Sequence, residues 1–307
     1  MERLEKLAEN LWKLSRTEPA LGGIVLLENE PMSRHTSFRI GGPVRLMAVV
    51  HAQSAGVGAL LRLASDAGVT PLLMGNGTDL LAPDEGLDAL VVKTVADSVT
   101  AAGETLTAES GALLSRVAGC GLEHSLSGLE FAHGIPGSVG GGVTMNAGAY
   151  GGELRDCITA VTWLDFGGAL HQTPGCDCDF AYRHSAFSDG GRYIVSAQFR
   201  LRRDNPAEIK KRMEELSQKR REKQPLEYPS AGSTFKRPQG YFAAALIEQC
   251  GLKGKTVGGA QVSEKHAGFV INRGGATCKD VRTLMEQIRE TVFRETGVTL
   301  EPEIKIL

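Results

Sequence analysis

Between Gly128 and Gly152, nine of 25 residues are glycine, in the order GLEFAHGIPGSVGGGVTMNAGAYGG. Such a stretch builds neither a long helix nor a packed strand, because glycine adds no side chain to a core and loses the most backbone freedom on ordering. It offers bare main chain, which a ligand can approach without meeting a Cβ. Small residues in consecutive turns form concave arrays of N–H groups that bind anions, and a pyrophosphate needs many such donors without bulky neighbours. Ser138, Thr144 and Asn146 add side-chain hydrogen-bonding groups. A second glycine turn, Met74-Gly75-Asn76-Gly77-Thr78-Asp79-Leu80, follows directly on the apolar run Thr70-Pro71-Leu72-Leu73-Met74. Two loops of this kind can clamp one dinucleotide. A tight structural turn accounts for the short loop equally well, but not for the long one.

The rest of the composition narrows the class. Across 307 residues, 34 basic and 36 acidic side chains leave a net charge of -2, with 42% hydrophobic residues. That is a globular chain of about two domains, without the charge of a nucleic-acid binder. The stretch 131–152 lacks Asp, Glu, Lys and Arg, yet its eight glycines and Pro136 make it no bilayer span. The opening residues MERLEKLAENLWKL mix charge with Leu and Trp at helical spacing and contain no secretory signal, so a cytoplasmic location is expected. Neither glycine loop spells GxGxxG, Gln249 stands where a Walker loop before Gly254-Lys255-Thr256 needs Gly, and HExxH is absent. The six cysteines form no CxxC pair and are expected as reduced core thiols, Cys176 and Cys178 included. The seven histidines show no metal spacing and are expected in turns or the core.

The patterning is mixed α and β. Ser54 is placed to cap a helix carrying Val57, Leu60, Leu61 and Ala64 that stops at Gly68, before a strand ending at Met74. Strands follow at 89–92 and near Val99 and Leu106, and then a helix through Leu113, Leu114 and Val117 that ends at Gly121. A Gly167-Gly168 turn joins strands 160–164 and 169–171, and 193–201 continues the sheet. Asn205-Pro206-Ala207-Glu208 reads as a helix start and a domain boundary. The helix beyond it has Ile209, Met213 and Leu216 on one face, and its basic end, Lys219-Arg220-Arg221 with Lys223, reads as a solvated face at the helix C-terminus. Thr277 and Asp280 form a capping box for an amphipathic helix stopping at Gly297. Residues 300–307 alternate like a strand, with Glu301, Glu303 and Lys305 on one solvent face.

Two polar clusters remain, Tyr182-Arg183-His184-Ser185-Ala186-Phe187 and the stretch from Tyr228 to Pro238. Gly232 exposes the Ser233 hydroxyl, and Lys236 and Arg237 lie close by. That arrangement suits an anionic substrate with a proton donor at hand; a surface loop is the alternative.

Seven segments in order, HTSFRIGG (35–42), GNGTDLL (75–81), GIPGSVGGGVTMNAGAYGGE (134–153), YRHSAF (182–187), PSAGSTFKRP (229–238), EKHAGFVIN (264–272) and EPEI (301–304), make nearly the whole chain resemble the UDP-N-acetylenolpyruvoylglucosamine reductases. No single segment suffices, but seven in order are highly specific. SAGSTFKRP without a long inserted loop before HAGFVIN resembles the second structural type of that family.

The resemblance implies an α+β chain: a bipartite FAD-binding domain of the vanillyl-alcohol-oxidase type over 1–204, with parts at about 1–96 and 97–204, then a substrate domain over 205–307. It places noncovalent FAD on Gly75, Asn76, Gly77, Thr78, Asp79, Pro136, Gly137, Ser138, Gly141, Gly142, Asn146 and Gly148. NADPH is the cosubstrate, UDP-N-acetylglucosamine enolpyruvate the substrate, and a monomer without nucleic-acid or membrane partners is expected. Carried over by motif, Arg183 and Glu303 stabilise the enolate, Ser233 protonates its carbon 2, and Tyr182, Lys223, Lys236, Lys265 and Lys305 are candidates for substrate or NADPH contacts. Glu303 can help a carboxylate by donating a hydrogen bond, or through Arg183 as a bridge. Asp79 departs from the Asn usual there and brings a carboxylate beside the expected pyrophosphate. The competing readings are a flavin oxidase or dehydrogenase acting on an alcohol or sugar, and a noncatalytic nucleotide-binding or basic-helix protein.

Overall fold

The computed structural model describes residues 2–17, 21, 23–53 and 55–307; the cap expected at Ser54 lies outside the described residues. Helix α1 (Glu2–Thr17) precedes β1 (Ile24–Pro31), β2 (Pro43–Val50), α2 (Ala55–Asp66), β3 (Leu72–Met74), β4 (Leu80–Leu81) and β5 (Leu87–Thr94). Next come β6 (Val99–Ala102), β7 (Thr105–Glu109), α3 (Leu114–Glu123), β8 (Leu126–Ser127), α4 (Val139–Thr144), β9 (Gly148–Ala149) and β10 (Gly152–Glu153). Strands β11 (Ile158–Leu164), β12 (Leu170–Pro174), β13 (Tyr193–Arg200) and β14 (Arg202–Arg203) lead to α5 (Pro206–Lys223). Helix α6 (Ala243–Gln249), β15 (Thr256–Val257), β16 (Ala260–Val262), β17 (Val270–Asn272), α7 (Cys278–Thr296) and β18 (Lys305–Ile306) complete the order.

The chain forms two compact units, Met1–Asn29 with Arg45–Asn76 and Asp88–Gln218, and Glu30–Val44 with Gly77–Leu87 and Lys219–Leu307. The division is not a single cut. Two short segments of the N-terminal half join the second unit, and α5 stays with the first past residue 205 because Ile209 and Met213 enter its core. Among the described residues no helix is long and apolar enough to cross a membrane.

The first unit is built mainly on two larger sheets, with the short pairs β9–β10 and β8–β14 beside them. In one, ordered β1-β2-β5-β3, β3 runs parallel to β5. Leu4, Leu7 and Leu11 of α1 and Val57, Leu60, Leu61 and Ala64 of α2 recur at helical spacing, so each helix turns one apolar face into the core over Leu46, Ala48, Leu90 and Val92. Gly68, at φ 67°, ends the turn beyond α2 as expected, and the next amide, Val69, bonds to the Ala64 carbonyl at 2.8 Å. The other sheet, β12-β11-β13-β7-β6, is antiparallel, and the 165–169 turn joins Leu164 to its partner Leu170. Gly121 does not end α3. It is buried inside the helix, where a Cβ would stand 3.1 Å from the Leu126 carbonyl oxygen, so close chain packing explains this glycine.

In the second unit β15-β16-β17 is antiparallel, and α7 carries the expected capping box of Thr277 and Asp280. Val281, Leu284, Met285, Ile288 and Val292 are buried, and the helix stops at left-handed Gly297. The C-terminal strand is far shorter than expected, because residues 302–306 change partner: Pro302 bridges Phe235, whereas Lys305 pairs with Leu80 in a parallel β4–β18 contact. Leu300 and Ile304 are buried, Glu301 and Lys305 exposed and Glu303 half-buried, so the expected single solvent face is not formed.

All six cysteines are free. Cys157, Cys178 and Cys278 are buried, and burial pushes their thiols up to about 12, about 11 and about 11 respectively. Cys120 and Cys250 are half-buried and Cys176 is exposed, so the core reading holds for only three. Cys176 lies exposed in a short turn after the edge strand β12.

Candidate active site

In the first unit β3 delivers the short glycine turn against the long one. Asn76 donates from Nδ2 to the Pro136 carbonyl at 2.6 Å. A Cβ on Gly75 would sit 2.1 Å from Ser138 Oγ, so the two loops meet closely here and any side chain at 75 must push the serine hydroxyl aside. Ser138 stands just before α4, 2% exposed, and its hydroxyl has no hydrogen-bond partner. Gly141 beside it is open: a Cβ there would meet only Ser138 Oγ, at 3.8 Å. A buried hydroxyl without a partner costs on the order of 1–3 kcal/mol, and a diphosphate oxygen supplies the missing acceptor. The donor set and bare backbone therefore fit the phosphates of a dinucleotide.

The remaining residues of the long loop hold its shape. The Gly137 carbonyl accepts from Leu114 N at 3.0 Å, and Gly142 packs under Leu114 and Leu154. Gly148 lies in the β9–β10 hairpin, where a Cβ would come 2.8 Å from the Gly152 carbonyl. Asn146, at φ 43° and buried, donates to Glu153 Oε2 (2.8 Å) and Ala181 O (3.1 Å) and accepts from Arg155 N (3.0 Å). Its polar atoms are thus engaged as a strut. Ala181 and His184 exchange backbone bonds at 3.1 and 3.2 Å, making a tight hairpin with Tyr182 and Arg183 at its tip. Arg183 takes φ 55°, and its guanidinium lies 5.1 Å from the Tyr182 ring centre. Ser185 and Ser188 both donate to the Thr144 carbonyl at 2.9 Å, fastening this hairpin to the end of α4.

The second unit holds Gly77, Thr78 and Asp79, together with Ser233 and Glu303. Gly77 has φ 64°, and a Cβ there would fall 2.2 Å from the His35 carbonyl oxygen. Thr234, beside Ser233, is the fixed point. Its N–H donates to Gly268 O (2.8 Å), its carbonyl accepts from Glu303 N (2.9 Å), and its hydroxyl accepts from Val270 N (3.0 Å). Ser233 and Glu303 are thereby held on adjoining stretches. Lys236 continues the pairing to Glu301 O and sets its Nζ 3.5 Å from the Glu301 carboxylate. Lys305 donates its backbone N–H to Asp79 O at 2.9 Å. Lys265 is already engaged, by Arg221 O at 2.7 Å and Glu227 at 3.7 Å, and Lys223 is exposed near the end of α5.

A family profile described as "UDP-N-acetylenolpyruvoylglucosamine reductase, C-terminal domain" matches residues 224–307, and one described as "FAD binding domain" matches residues 46–173. A UDP-N-acetylenolpyruvoylglucosamine reductase from Agathobacter rectalis is 48% identical over 303 residues, covering 94% of this chain and 95% of the relative. The chain belongs to the UDP-N-acetylenolpyruvoylglucosamine reductase family. Another relative of that name, from Caldanaerobacter subterraneus subsp. tengcongensis, is 48% identical over 280 residues, 91% of this chain and 92% of its own. The crystal structure of the Thermus caldophilus reductase superposes with a TM-score of 0.79 at 31% identity, covering 92% of this chain and 98% of that one. As a member of this reductase family with an FAD-binding domain, the chain is an FAD-dependent oxidoreductase of α+β fold.

Ser37, His266 and Asn272 hold the second unit's Ser233 stretch in place, although no motif chemistry marks them individually. Ser37 Oγ donates to Ser230 O at 2.6 Å, and Asn272 Nδ2 to Phe38 O at 3.1 Å, stitching the 35–42 segment to the stretch that leads to Ser233. His266 Nδ1 accepts from Gly268 N at 3.1 Å, and Gly268 is the residue whose carbonyl holds Thr234. Burial holds the His266 imidazole below its usual range, consistent with a neutral ring accepting at Nδ1. Their only signal in the sequence was membership of HTSFRIGG and EKHAGFVIN.

Proposed function

We propose that the chain reduces UDP-N-acetylglucosamine enolpyruvate to UDP-N-acetylmuramate with NADPH, a step of peptidoglycan synthesis, with FAD held noncovalently mainly by residues of 1–204 and the substrate mainly by 205–307. The observation that carries this reading is the 2.9 Å bond from the Glu303 amide to the Thr234 carbonyl, which joins the two family segments contributing Ser233 and Glu303. FAD, held by the glycine loops around Gly75, Asn76 and Ser138, would supply the two-electron chemistry between NADPH and carbon 3 of the enolpyruvyl group. Negative charge then builds at carbon 2 and spreads into the carboxylate. In this reading Arg183 presents a guanidinium fork to that carboxylate, and Glu303 lies against it as a hydrogen-bond donor or through Arg183. Ser233 gives its proton to carbon 2; a hydroxyl is a weak acid, but an enolate carbon is a strong enough base, and Lys236 or Arg237 stabilises the alkoxide left behind. Tyr182, Lys223, Lys265 and Lys305 are further contacts for substrate or NADPH phosphates, and a monomer suffices.

Anaerobic stopped-flow absorbance tests this. NADPH should bleach the flavin band, and the enolpyruvyl substrate should restore it. Ser233→Ala should bleach normally and lose about 10²–10⁴-fold in the rate of restoration. A bleached wild type that only oxygen restores supports an oxidase instead, and restoration by Ser233→Ala at the wild-type rate removes the serine from the chemistry.

A further inference from the structure

The C-terminal end of α3 gathers three metal-ligating side chains of different chemistry, outside the glycine loops and unused by the reaction above. Cys120, Glu123 and His124 follow the i, i+3, i+4 pattern of one helix face, and a ligand atom from each lies within 4.8 Å of the others. Cys120 Sγ stands 3.7 Å from His124 Nδ1. Zinc takes sulfur at about 2.3 Å and imidazole nitrogen at about 2.0 Å, so the S···N edge of a tetrahedral site is about 3.5 Å. That edge is close to the spacing an ion imposes, and the Glu123 oxygen lies within 4.8 Å of both atoms.

Its surroundings also suit a cation. Val117, Ala118 and Gly121 turn one face of α3 into the core and Cys120 lies at its edge, half-buried, with Glu123 and His124 exposed. Glu123 adds a carboxylate at the carbonyl end of the helix, where Arg203 donates to the His124 carbonyl at 3.1 Å. Arg116, one turn earlier, is paired with Asp97. We propose that Cys120, Glu123 and His124 bind one divalent ion of the zinc class, with water completing the tetrahedron. Binding exchanges the present 2.9 Å contact between His124 Nδ1 and the Cys120 carbonyl for a metal bond: the Nδ1 proton is lost to solvent while Nε2 takes one up, leaving the ring neutral, and the thiol proton leaves to solvent.

The test is zinc binding to the FAD-loaded protein with its thiols kept reduced, followed by calorimetry and by X-ray absorption at the zinc edge, where flavin does not interfere. One equivalent should bind, with one sulfur near 2.3 Å and nitrogen or oxygen near 2.0–2.1 Å. Cys120→Ser and His124→Gln should each weaken binding by more than about tenfold, while Cys176→Ser, removing the exposed thiol, should not. Flavin content and circular dichroism report whether each variant folds. Absence of stoichiometric binding, a zinc shell without sulfur, or full binding by a folded Cys120→Ser or His124→Gln variant overturns the proposal.

Discussion

Asn146 donates from Nδ2 to the Ala181 carbonyl at 3.1 Å, tying the glycine-rich loop to the hairpin that presents Tyr182 and Arg183. The same side chain accepts from Arg155 N at 3.0 Å and reaches Glu153 at 2.8 Å. Replacing it with Ala leaves three buried or half-buried groups without this partner and puts an ordinary residue at φ 43°. Asn146→Ala should therefore lose about 2–4 kcal/mol in urea unfolding and loosen both segments together. Faster proteolysis of the 179–186 loop would report the coupling; a variant as stable as the wild type would show that the strut is dispensable.

Gly75 and Gly77 lie two residues apart and should respond differently to alanine. At Gly75 the added carbon meets the Ser138 hydroxyl, a side-chain end that can rotate away, and no positive φ is required. At Gly77 it meets the His35 backbone oxygen at φ 64°, and the main chain itself must move. Gly75→Ala should fold and retain less FAD, by about tenfold or more, because it fills the cradle at Ser138. Gly77→Ala should lower the melting temperature by several degrees. Flavin titration and calorimetry on the two variants check this; equal effects on both quantities would remove the distinction.

The helix α7 illustrates what a sequence reveals and what it hides. Thr277, Asp280 and Gly297 act over four residues or fewer, so the cap and stop are legible locally, and the structure reproduces both. The Lys305–Asp79 bond joins residues 226 positions apart and rests on two-residue strands with no pattern of their own, so the inclusion of 77–87 in the second unit was invisible. The glycine cradle was legible as composition. Its unpaired hydroxyl at Ser138 and the strut at Asn146 were not, because each depends on where a distant loop returns.

The capping box gives a pH dependence of definite sign. The Thr277 backbone N–H donates to Asp280 Oδ2 at 3.0 Å and is the largest influence holding the Asp280 carboxyl below its usual range. A carboxyl depressed in the folded state binds protons less readily there than in the unfolded chain. Its stabilisation is thus present above the unfolded pKa of about 3.9 and lost as pH falls through the folded value. Asp280→Asn should cost about 1 kcal/mol at pH 7 and flatten the acid limb of stability below pH 4–5. Urea unfolding at pH 7 and pH 3.5 checks this, and an unchanged acid slope in the variant would assign the limb to other carboxylates.

Glu303 offers the sharpest separation of structure from chemistry in the second unit. Its backbone N–H, not its side chain, clasps Thr234, and the neighbouring Phe235–Pro302 bridge reinforces the pairing. Changing the carboxylate should leave Ser233 where it is. Glu303→Gln should therefore unfold like the wild type, bind FAD equally and be reduced by NADPH at the wild-type rate. Under the proposed role it loses an interaction strengthened as charge develops on the substrate carboxylate, so turnover should fall about 10²–10³-fold through kcat, with KM changed little. A rise in KM at constant kcat would make Glu303 a ground-state binding residue. A loss of stability would make its side chain part of the scaffold.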